Sequence, residues 1–267
     1  MGAIQPEHQP RRIVSLAPSV TSILLALGAR KELVGVTKWC KDVADVSPRP
    51  EVGDCWKLDI REVARLKPTL LIGSVPFAPQ TVAAILEQPI PFLALNPRSL
   101  RDVEADIGLL ASLMGREKRG AALIRKMHSG LTQVRQCGRL LSRRTKPRVY
   151  CEAWPHPRIS SPPWVSELVD IAGGRAAVRA GKRVTDAEVA RARPDVIVLA
   201  WAATGDRARP EQVLRNPAWN DVPAVKSGRV AVIPDQFLNT PSPVLVQGAQ
   251  ALLRAIHADS VSRGALR

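Results

Sequence analysis

A thirteen-residue segment occurs twice in this chain, once in each half. Residues 62–74 read EVARLKPTLLIGS, and residues 188–200, which lie 126 positions later, read EVARARPDVIVLA. Five of the thirteen aligned residues are identical, and each copy combines the end of a helix, a proline that stops it and a short apolar β-strand. The repetition predicts two similar lobes with a ligand cleft between them.

Both halves alternate short apolar strands with helices. The predicted strands are 13–17, 33–36, 70–72, 91–95, 148–151, 196–199 and 229–233, and the helices are 20–27, 60–66, 79–87, 100–114, 117–141, 164–171, 187–192, 210–214 and 244–257. This alternation predicts an α/β fold with mainly parallel sheets covered by helices. The longest helix lies between the repeat copies, as a backbone helix joining two lobes would.

We therefore divide the chain into three segments. Residues 11–97 form an N-terminal α/β lobe, residues 98–146 form a helical segment with the interlobe backbone helix, and residues 147–258 form a C-terminal α/β lobe. No run approaches eighteen apolar residues, which excludes a transmembrane helix. The first twelve residues lack the apolar core of a secretory signal. The sequence as it stands therefore predicts a cytoplasmic protein, or a periplasmic one if a signal has been removed.

The chain offers little catalytic or metal-binding chemistry. Its four cysteines and four histidines show no metal-ligand spacing, which predicts no metal site. It contains no nucleophile elbow, phosphate-binding loop, zinc-protease motif or dinucleotide fingerprint. We therefore predict no catalytic residues and a protein that is not an enzyme.

The positive charge is concentrated in one stretch. Of the formal net charge of +15, residues 116–148 supply +10, from eleven Lys or Arg and one Glu. Such a stretch attracts nucleic acid or an anionic lipid surface, or it is the solvated face of a helix. Because it has no aromatic residue for base stacking, a solvated face is the favoured interpretation and nucleic acid is not the favoured partner.

Tryptophan dominates the aromatic residues, with six of ten. Trp39, Trp154 and Trp201 each follow a predicted strand, and ligands of open parallel sheets bind beyond the carboxyl ends of the strands. Trp56 lies in a loop before a helix, and Trp164 opens another helix. Rigid indole faces at these positions predict a site for a large, flat, mostly apolar ligand.

Three further residues complete the predicted ligand site. Pro18 follows the first strand, and Asp235 and Phe237 follow the last one. We expect Asp235 to be a polar anchor for an amide or hydroxyl group of the ligand.

Several segments resemble class III periplasmic binding proteins. They are RIVSLAPSVT (12–21), VGD (52–54), LKP (66–68), WVSELVDIAGG (164–174) and ARPDVIV (192–198). The resemblance covers residues 11–258 and implies two α/β lobes joined by one long helix. Within the family, the chain is most similar to the cobalamin-binding proteins of ABC-type importers. That likeness implies a non-catalytic protein that holds a corrinoid without a covalent bond, with Trp39, Trp56 and Trp154 lining the cleft and Asp235 as a polar contact.

The resemblance also implies alternatives. Other branches of the family bind ferric siderophores or haem, and a siderophore stays open because Arg98 and Arg158 could meet an anionic ligand. A metallocofactor-handling enzyme on the same fold would need Cys40 and Cys55 to face the cleft within bonding distance.

Importer-associated members dock on a permease through one acid on each lobe. The matching positions are Arg61 and Ala187, and the acids one residue further on are Glu62 and Glu188. Glu62 and Glu188 are therefore the candidates for docking a permease partner.

Overall fold

The computed structural model describes residues 9–143 and 145–258, and within them the chain forms two compact α/β units. Unit 1 contains the described residues up to Lys126 together with Pro241–Pro243. Unit 2 contains Met127–Thr240 and the described residues from Val244 onward. None of the helices in the described ranges is both long enough and apolar enough to cross a membrane.

Unit 1 is built on a four-stranded sheet. Its strands are β1 (Ile13–Ser15), β2 (Leu33–Gly35), β3 (Leu70–Ser74) and β4 (Phe92–Leu95), in the order β2-β1-β3-β4. All neighbouring strands are parallel. The helices are α1 (Pro18–Ala26), α2 (Ile60–Arg65), α3 (Pro79–Leu86) and α4 (Leu100–Leu113). Strand residues such as Ile13, Val14 and Ile72 are fully buried, as in parallel strands that helices cover on both faces.

Unit 2 repeats this plan with one antiparallel strand. Helix α5 (Glu117–Leu141) begins in unit 1 and ends in unit 2. The strands are β5 (Arg148–Pro155), β6 (Arg158–Ser160), β7 (Arg175–Ala176), β8 (Val196–Leu199) and β9 (Val230–Val232), in the order β6-β5-β8-β9 with β7 beside β5. Only β5 and β6 pair in antiparallel fashion among these described strands. The remaining helices are α6 (Pro163–Ile171), α7 (Asp186–Ala192), α8 (Pro210–Leu214), α9 (Pro223–Lys226), α10 (Gln236–Asn239) and α11 (Leu245–Ile256).

The helices of the two repeat copies begin and end in the same way. Asp59 caps α2 and Thr185 caps α7, each by accepting a hydrogen bond from a backbone N–H in the first turn. Each copy then leaves the helix through a basic residue in the left-handed conformation, Lys67 or Arg193, both with φ of 45°. The following proline disfavours helical geometry at these residues, so the chain turns into a strand.

The strands of the two copies also pair equivalently. The backbone N–H of Thr69 donates to the carbonyl oxygen of Arg12 at 2.8 Å, and that of Asp195 donates to the carbonyl oxygen of Arg148 at 2.8 Å. These bonds seat β3 beside β1 and β8 beside β5, both in parallel register. The prediction of one supersecondary unit used twice, on an α/β fold with mainly parallel sheets, is confirmed.

Candidate ligand-binding surfaces of the two units

The first surface lies at the carboxyl end of the unit 1 sheet. Trp39 belongs to a 3₁₀ turn (Lys38–Asp42) after β2, and Trp56 belongs to the loop before α2. The carboxylate of Asp54 links them: Oδ2 accepts from the indole Nε1 of Trp39 at 3.3 Å, and Oδ1 accepts from the backbone N of Trp56 at 2.9 Å. In the structure, the indole of Trp39 and the backbone of Trp56 therefore bind the same carboxylate, a link that the sequence did not reveal.

Asp54 is held in its charged form. Its burial opposes ionisation, but hydrogen bonds from the backbone of Trp56 and Lys57 and from the side chains of Lys38 and Trp39 outweigh it, so the pKa of Asp54 lies below its ordinary value. The ammonium of Lys38 lies 3.3 Å from Oδ2 and 4.7 Å from the centroid of the Trp39 ring. The loop therefore keeps this shape at neutral pH.

The Trp56 side chain stands largely in solvent, with 62% of its surface exposed. The loop that carries it is fixed beside the end of β3, because the backbone N of Ala78 donates to the carbonyl oxygen of Cys55 at 3.0 Å. Val75, in the neighbouring loop, is also exposed. Pro18 opens α1 at the same end of the sheet and is half-buried. Large apolar side chains exposed on neighbouring loops mark a candidate interaction surface.

The second surface is a β-hairpin of unit 2 that carries Trp154. We expected Trp154 to follow a strand that ends at 151, but β5 continues to Pro155, and Trp154 lies within it opposite Ile159 of β6. The strand is longer because β6 supplies the hydrogen-bonding partners that extend it. The Trp154 side chain is 41% exposed, and its Nε1 donates to the carbonyl oxygen of His156 at 2.9 Å.

Two other predicted ligand residues are interior side chains in this structure. Trp201 is buried, and its Nε1 donates to Oε1 of Glu152 at 2.9 Å. Trp164 is buried, and its Nε1 donates to the carbonyl oxygen of Leu238 at 2.8 Å. Both indole N–H groups are therefore satisfied inside unit 2, and little of either ring is open to a ligand. The sequence placed both correctly along the chain but did not reveal which way they face.

Glu152 is the centre of a buried polar network that the sequence did not predict. Its carboxylate is fully buried and accepts from the hydroxyl of Tyr150 at 2.7 Å and from Nη1 of Arg158 at 2.9 Å. Burial, followed by the charge of Glu152, raises the pKa of Tyr150. Because Tyr150 donates to Glu152 from inside the core, its hydroxyl is not presented to a ligand.

The guanidinium of Arg158 makes its contacts within the protein. Besides Glu152, its guanidinium donates to Oδ1 of Asp186, and it lies 4.2 Å from the centroid of the Trp219 ring. That Arg158 meets an anionic ligand stays a prediction, and in this structure its Nε and Nη1 donate to two carboxylates. Arg98 lies in an exposed position before α4.

Asp235 also has internal partners. Its two carboxylate oxygens accept from the backbone N–H groups of Ala203 and Gly205 at 3.1 and 3.0 Å, which fixes the loop after β8. The predicted polar anchor thus shapes the loop. Phe237, in α10, is half-buried and lines a groove of ≈ 570 Å³ in unit 2 together with Pro234 and residues of α11.

Cys40 and Cys55, on which the enzyme alternative depends, both belong to unit 1. Cys40 is buried, and its sulfur accepts from the hydroxyl of Thr21 at 3.0 Å. Burial raises the pKa of Cys40, and it raises the pKa of Cys55 to about 11. Both are free thiols. Across residues 9–143 and 145–258, no three or more His, Cys, Asp or Glu side chains are grouped so as to hold a metal ion.

The candidate docking acids occupy the same position on two helices. Glu62 and Glu188 are the third residues of α2 and α7, and Arg61 and Ala187 are the second. Glu62 pairs with Arg65 on its own helix, at 3.1 Å. Glu188 reaches back to the cap of α7, where it accepts from the backbone N of Thr185 at 2.6 Å.

Comparison with known proteins gives these surfaces a context. Residues 13–237 match the family model described as periplasmic binding protein. The chain belongs to this family. It is a substrate-binding protein of the ABC-importer type, and the family consists of non-catalytic substrate-binding proteins.

Individual relatives differ in what they bind. The chain is 27% identical, over 95% of its length and 82% of the relative's, to an uncharacterized ABC transporter substrate-binding lipoprotein, YvrC, of Bacillus subtilis. It is 26% identical to the vitamin B12-binding protein of Pectobacterium carotovorum, over 39% of this chain and 38% of that protein. Its fold is similar to that of a periplasmic heme binding protein from Pseudomonas aeruginosa, with a TM-score of 0.82, 22% identity and coverage of 93% of each chain.

Proposed function

We propose that this periplasmic binding protein holds a corrinoid, with cobalamin as the first candidate, as a non-covalent ligand. The observation that carries the proposal is the Trp39–Asp54–Trp56 arrangement, in which one ionised carboxylate fixes two tryptophans at the carboxyl end of a parallel sheet. Trp154 supplies a third partly exposed indole, on unit 2. Such rings offer wide apolar contact to a large flat ligand, and their fixed backbones reduce the entropy lost on binding.

The exposed part of Trp56 sets the scale of the expected effect. A tryptophan side chain buries roughly 150–250 Å² when it is covered completely. With 62% of the Trp56 side chain exposed, a ligand that covered it would remove about 100–150 Å² from water, which corresponds to about 3 kcal/mol. Losing that contact should weaken binding by roughly 10- to 100-fold, because part of this energy is offset by ordering and desolvation.

The relatives support both the proposal and one alternative. The partial match to a vitamin B12-binding protein supports a corrinoid, whereas the fold likeness to a heme binding protein supports haem. Haem is also favoured by His156, whose exposed side chain lies two residues after Trp154, since an imidazole is a common axial ligand of haem iron. A siderophore has less support, because the guanidinium of Arg158 is occupied by Glu152 and Asp186.

Isothermal titration with cyanocobalamin, hemin and a ferric siderophore tests the proposal. We expect saturable binding of cyanocobalamin that weakens roughly 10- to 100-fold in Trp56→Ala and in Trp154→Ala. The matched control is Leu86→Ala, which removes an apolar side chain that is 70% exposed on α3 and should leave the affinity unchanged. Absence of saturation at high micromolar cyanocobalamin would refute the corrinoid.

Hemin binding would instead identify the alternative. In that case His156→Ala should remove the shift of the haem Soret band on binding. Cyanocobalamin should then show no competition with hemin.

Membership of this family implies a permease partner, and we propose that Glu62 and Glu188 contact it. Both acids lie in the first turn of exposed helices, where a basic surface could reach them. Glu62→Gln and Glu188→Gln should each lower transport by the cognate importer while leaving ligand affinity unchanged. Equal transport by both variants and the unchanged protein would exclude these acids as the docking residues.

A further inference from the structure

Helix α5 and the residues just after it carry a large excess of positive charge, with Glu117, the first residue of α5, as the one acid. Between Lys118 and Arg143 there are seven Lys or Arg and no Asp or Glu. One of the seven, Arg119, uses Nη1 to donate to the carbonyl oxygen of Leu27 at 3.1 Å. The other six, all exposed, are Lys118, Arg125, Lys126, Arg135, Arg139 and Arg143, and we call them the basic face of α5.

The periodicity of α5 explains why these residues share the solvent side. Met127, Leu131 and Val134 are buried and mark the side that packs against the protein. At 100° per residue, Lys118, Arg125 and Arg139 lie on the opposite side of the helix. The basic face therefore extends along a helix of 25 residues, about 37 Å in length.

No described ion pair or hydrogen bond involves the side chains of the basic face. Asp170, at the end of α6, has its carboxylate paired with Lys146 at 2.8 Å, and Glu32 is paired with Arg116. The packing of Gly138 against Ala172 and Gly173 brings α6 to the C-terminal end of α5. Within the described part of the chain, the basic face thus has charges that an external anion can neutralise.

A second observation separates this surface from an ordinary solvated helix. Leu140 is 59% exposed, between Arg139 and Arg143 near the end of α5. An apolar side chain among cations is well suited to an interface where charged headgroups border hydrocarbon. Nucleic acid would make no use of it, and the basic face has no aromatic ring for base stacking.

We propose that the basic face of α5 docks the protein on an anionic phospholipid surface. The apolar side of α5 is buried in the protein, so the helix does not insert, and attraction between its cations and the lipid phosphates supplies most of the affinity. This interaction is independent of the ligand that the protein carries. Because the charges are exposed, it should weaken as salt shortens the range of the attraction, which is about 8 Å at physiological ionic strength.

Sedimentation of the full chain with lipid vesicles tests the proposal. One vesicle contains only phosphatidylcholine, and the other contains phosphatidylcholine with phosphatidylglycerol at about one third. The test variant is Arg135→Gln/Arg139→Gln/Arg143→Gln. The matched control, Arg191→Gln/Arg209→Gln/Arg215→Gln, removes the same charge from exposed arginines of unit 2 that make no described ion pair. Circular dichroism melts establish that both variants are folded.

We expect binding to the anionic vesicle only, and a loss of affinity on the order of 100-fold in the test variant, at roughly tenfold per 1.4 kcal/mol and about 1 kcal/mol per cation. The control should bind like the unchanged protein, and Leu140→Ser should weaken binding by severalfold. Equal losses in both triple variants would overturn the proposal in favour of a general effect of net charge. Absence of vesicle binding at low salt would also overturn it, as would tighter binding to duplex DNA than to the anionic vesicle.

Discussion

Replacement of Arg158 by methionine should be among the most damaging single changes in unit 2. The guanidinium is nearly buried and is the only cation described in contact with the fully buried carboxylate of Glu152. Methionine keeps much of the apolar stem of arginine but cannot donate a hydrogen bond or neutralise charge. The variant would therefore leave an ionised or newly protonated carboxyl group in the core.

The structure gives the size of the effect. Removing one partner of a buried ion pair typically costs 3–5 kcal/mol, because the other charge stays desolvated. The contact with Asp186 adds little, since that carboxylate is 45% exposed. Loss of the cation at 4.2 Å from the Trp219 ring adds roughly 1 kcal/mol. We expect a loss of roughly 5 kcal/mol in the free energy of unfolding of unit 2.

A double variant separates the charge from the packing. In Glu152→Gln/Arg158→Met, the glutamine is neutral, its amide oxygen can accept from Trp201, and its amide nitrogen can donate to Tyr150. The double variant should therefore be about 2 kcal/mol more stable than Arg158→Met alone. Urea denaturation should be followed both by near-ultraviolet circular dichroism and by tryptophan fluorescence, because coincident transitions would establish two-state unfolding. A cost below about 1 kcal/mol for Arg158→Met, or equal stability of the single and double variants, would refute the argument.

Three further predictions concern stability. Gly248→Ala should lower the free energy of unfolding by about 2 kcal/mol or more, because the added Cβ would come within 2.1 Å of the carbonyl oxygen of Phe237. Gly108→Ala should instead raise it by about 1 kcal/mol, because the Cβ meets nothing within 4 Å. Thermal melts of the two variants test this contrast. Burial, followed by the charge of Asp102, raises the pKa of Asp106 to about 6, so the folded state binds this proton more tightly than the unfolded state. The free energy of unfolding should therefore fall as the pH rises from about 4 to 6. Asp106→Asn should reduce this pH dependence in urea titrations at several pH values. Thr185→Ala removes the side-chain cap of α7 and should cost about 1 kcal/mol in urea unfolding, and a cost near zero would show that the cap is dispensable.

The fold could be predicted from the sequence because its signals are local. Helix α5, strand β8 and helix α8 have the bounds that the periodicity predicts, and Asp59 caps α2 as its position suggests. Apolar spacing, caps and proline stops act within a few residues, so they can be recognised in the sequence without knowledge of the tertiary structure. The repeated segment then indicated two units, because the same local unit appears twice.

The candidate site could be predicted only in part, because burial depends on distant residues. Trp39 and Trp56 as ligand residues stay a prediction from the sequence, and the carboxylate of Asp54 that links them could not be predicted. It also placed Trp201 at a strand end without showing that it is buried against Glu152. A signal for the network was present, since Tyr150 and Glu152 alternate along β5 and therefore face the same side of the sheet.

The hairpin of β5 and β6 was missed for a related reason. Its turn is His156–Pro157, directly after Pro155 at the end of β5, and two prolines around a histidine are typical of a loop that ends a strand. The strand extends to Pro155 because β6 pairs with it from the other side of the turn. Whether a segment pairs in antiparallel fashion with a strand of a parallel sheet depends on the tertiary structure. The alternation of strands and helices along the chain did not indicate it.

The two repeat copies show where equivalence of backbone ends and chemical difference begins. Both helices have a capped start, a left-handed exit and a strand in the same register, so the backbone imposes one geometry on both. The third helical residue differs between the copies. The cap of α7 requires Glu188, whose carboxylate accepts from the backbone N of Thr185. The cap of α2 is complete without Glu62, because Asp59 alone accepts the backbone N–H groups. A permease that binds Glu188 must therefore compete with the cap of α7 for its carboxylate. A permease that binds Glu62 breaks only the ion pair with the exposed Arg65. If the two acids dock a partner, Glu62 should contribute more of the affinity.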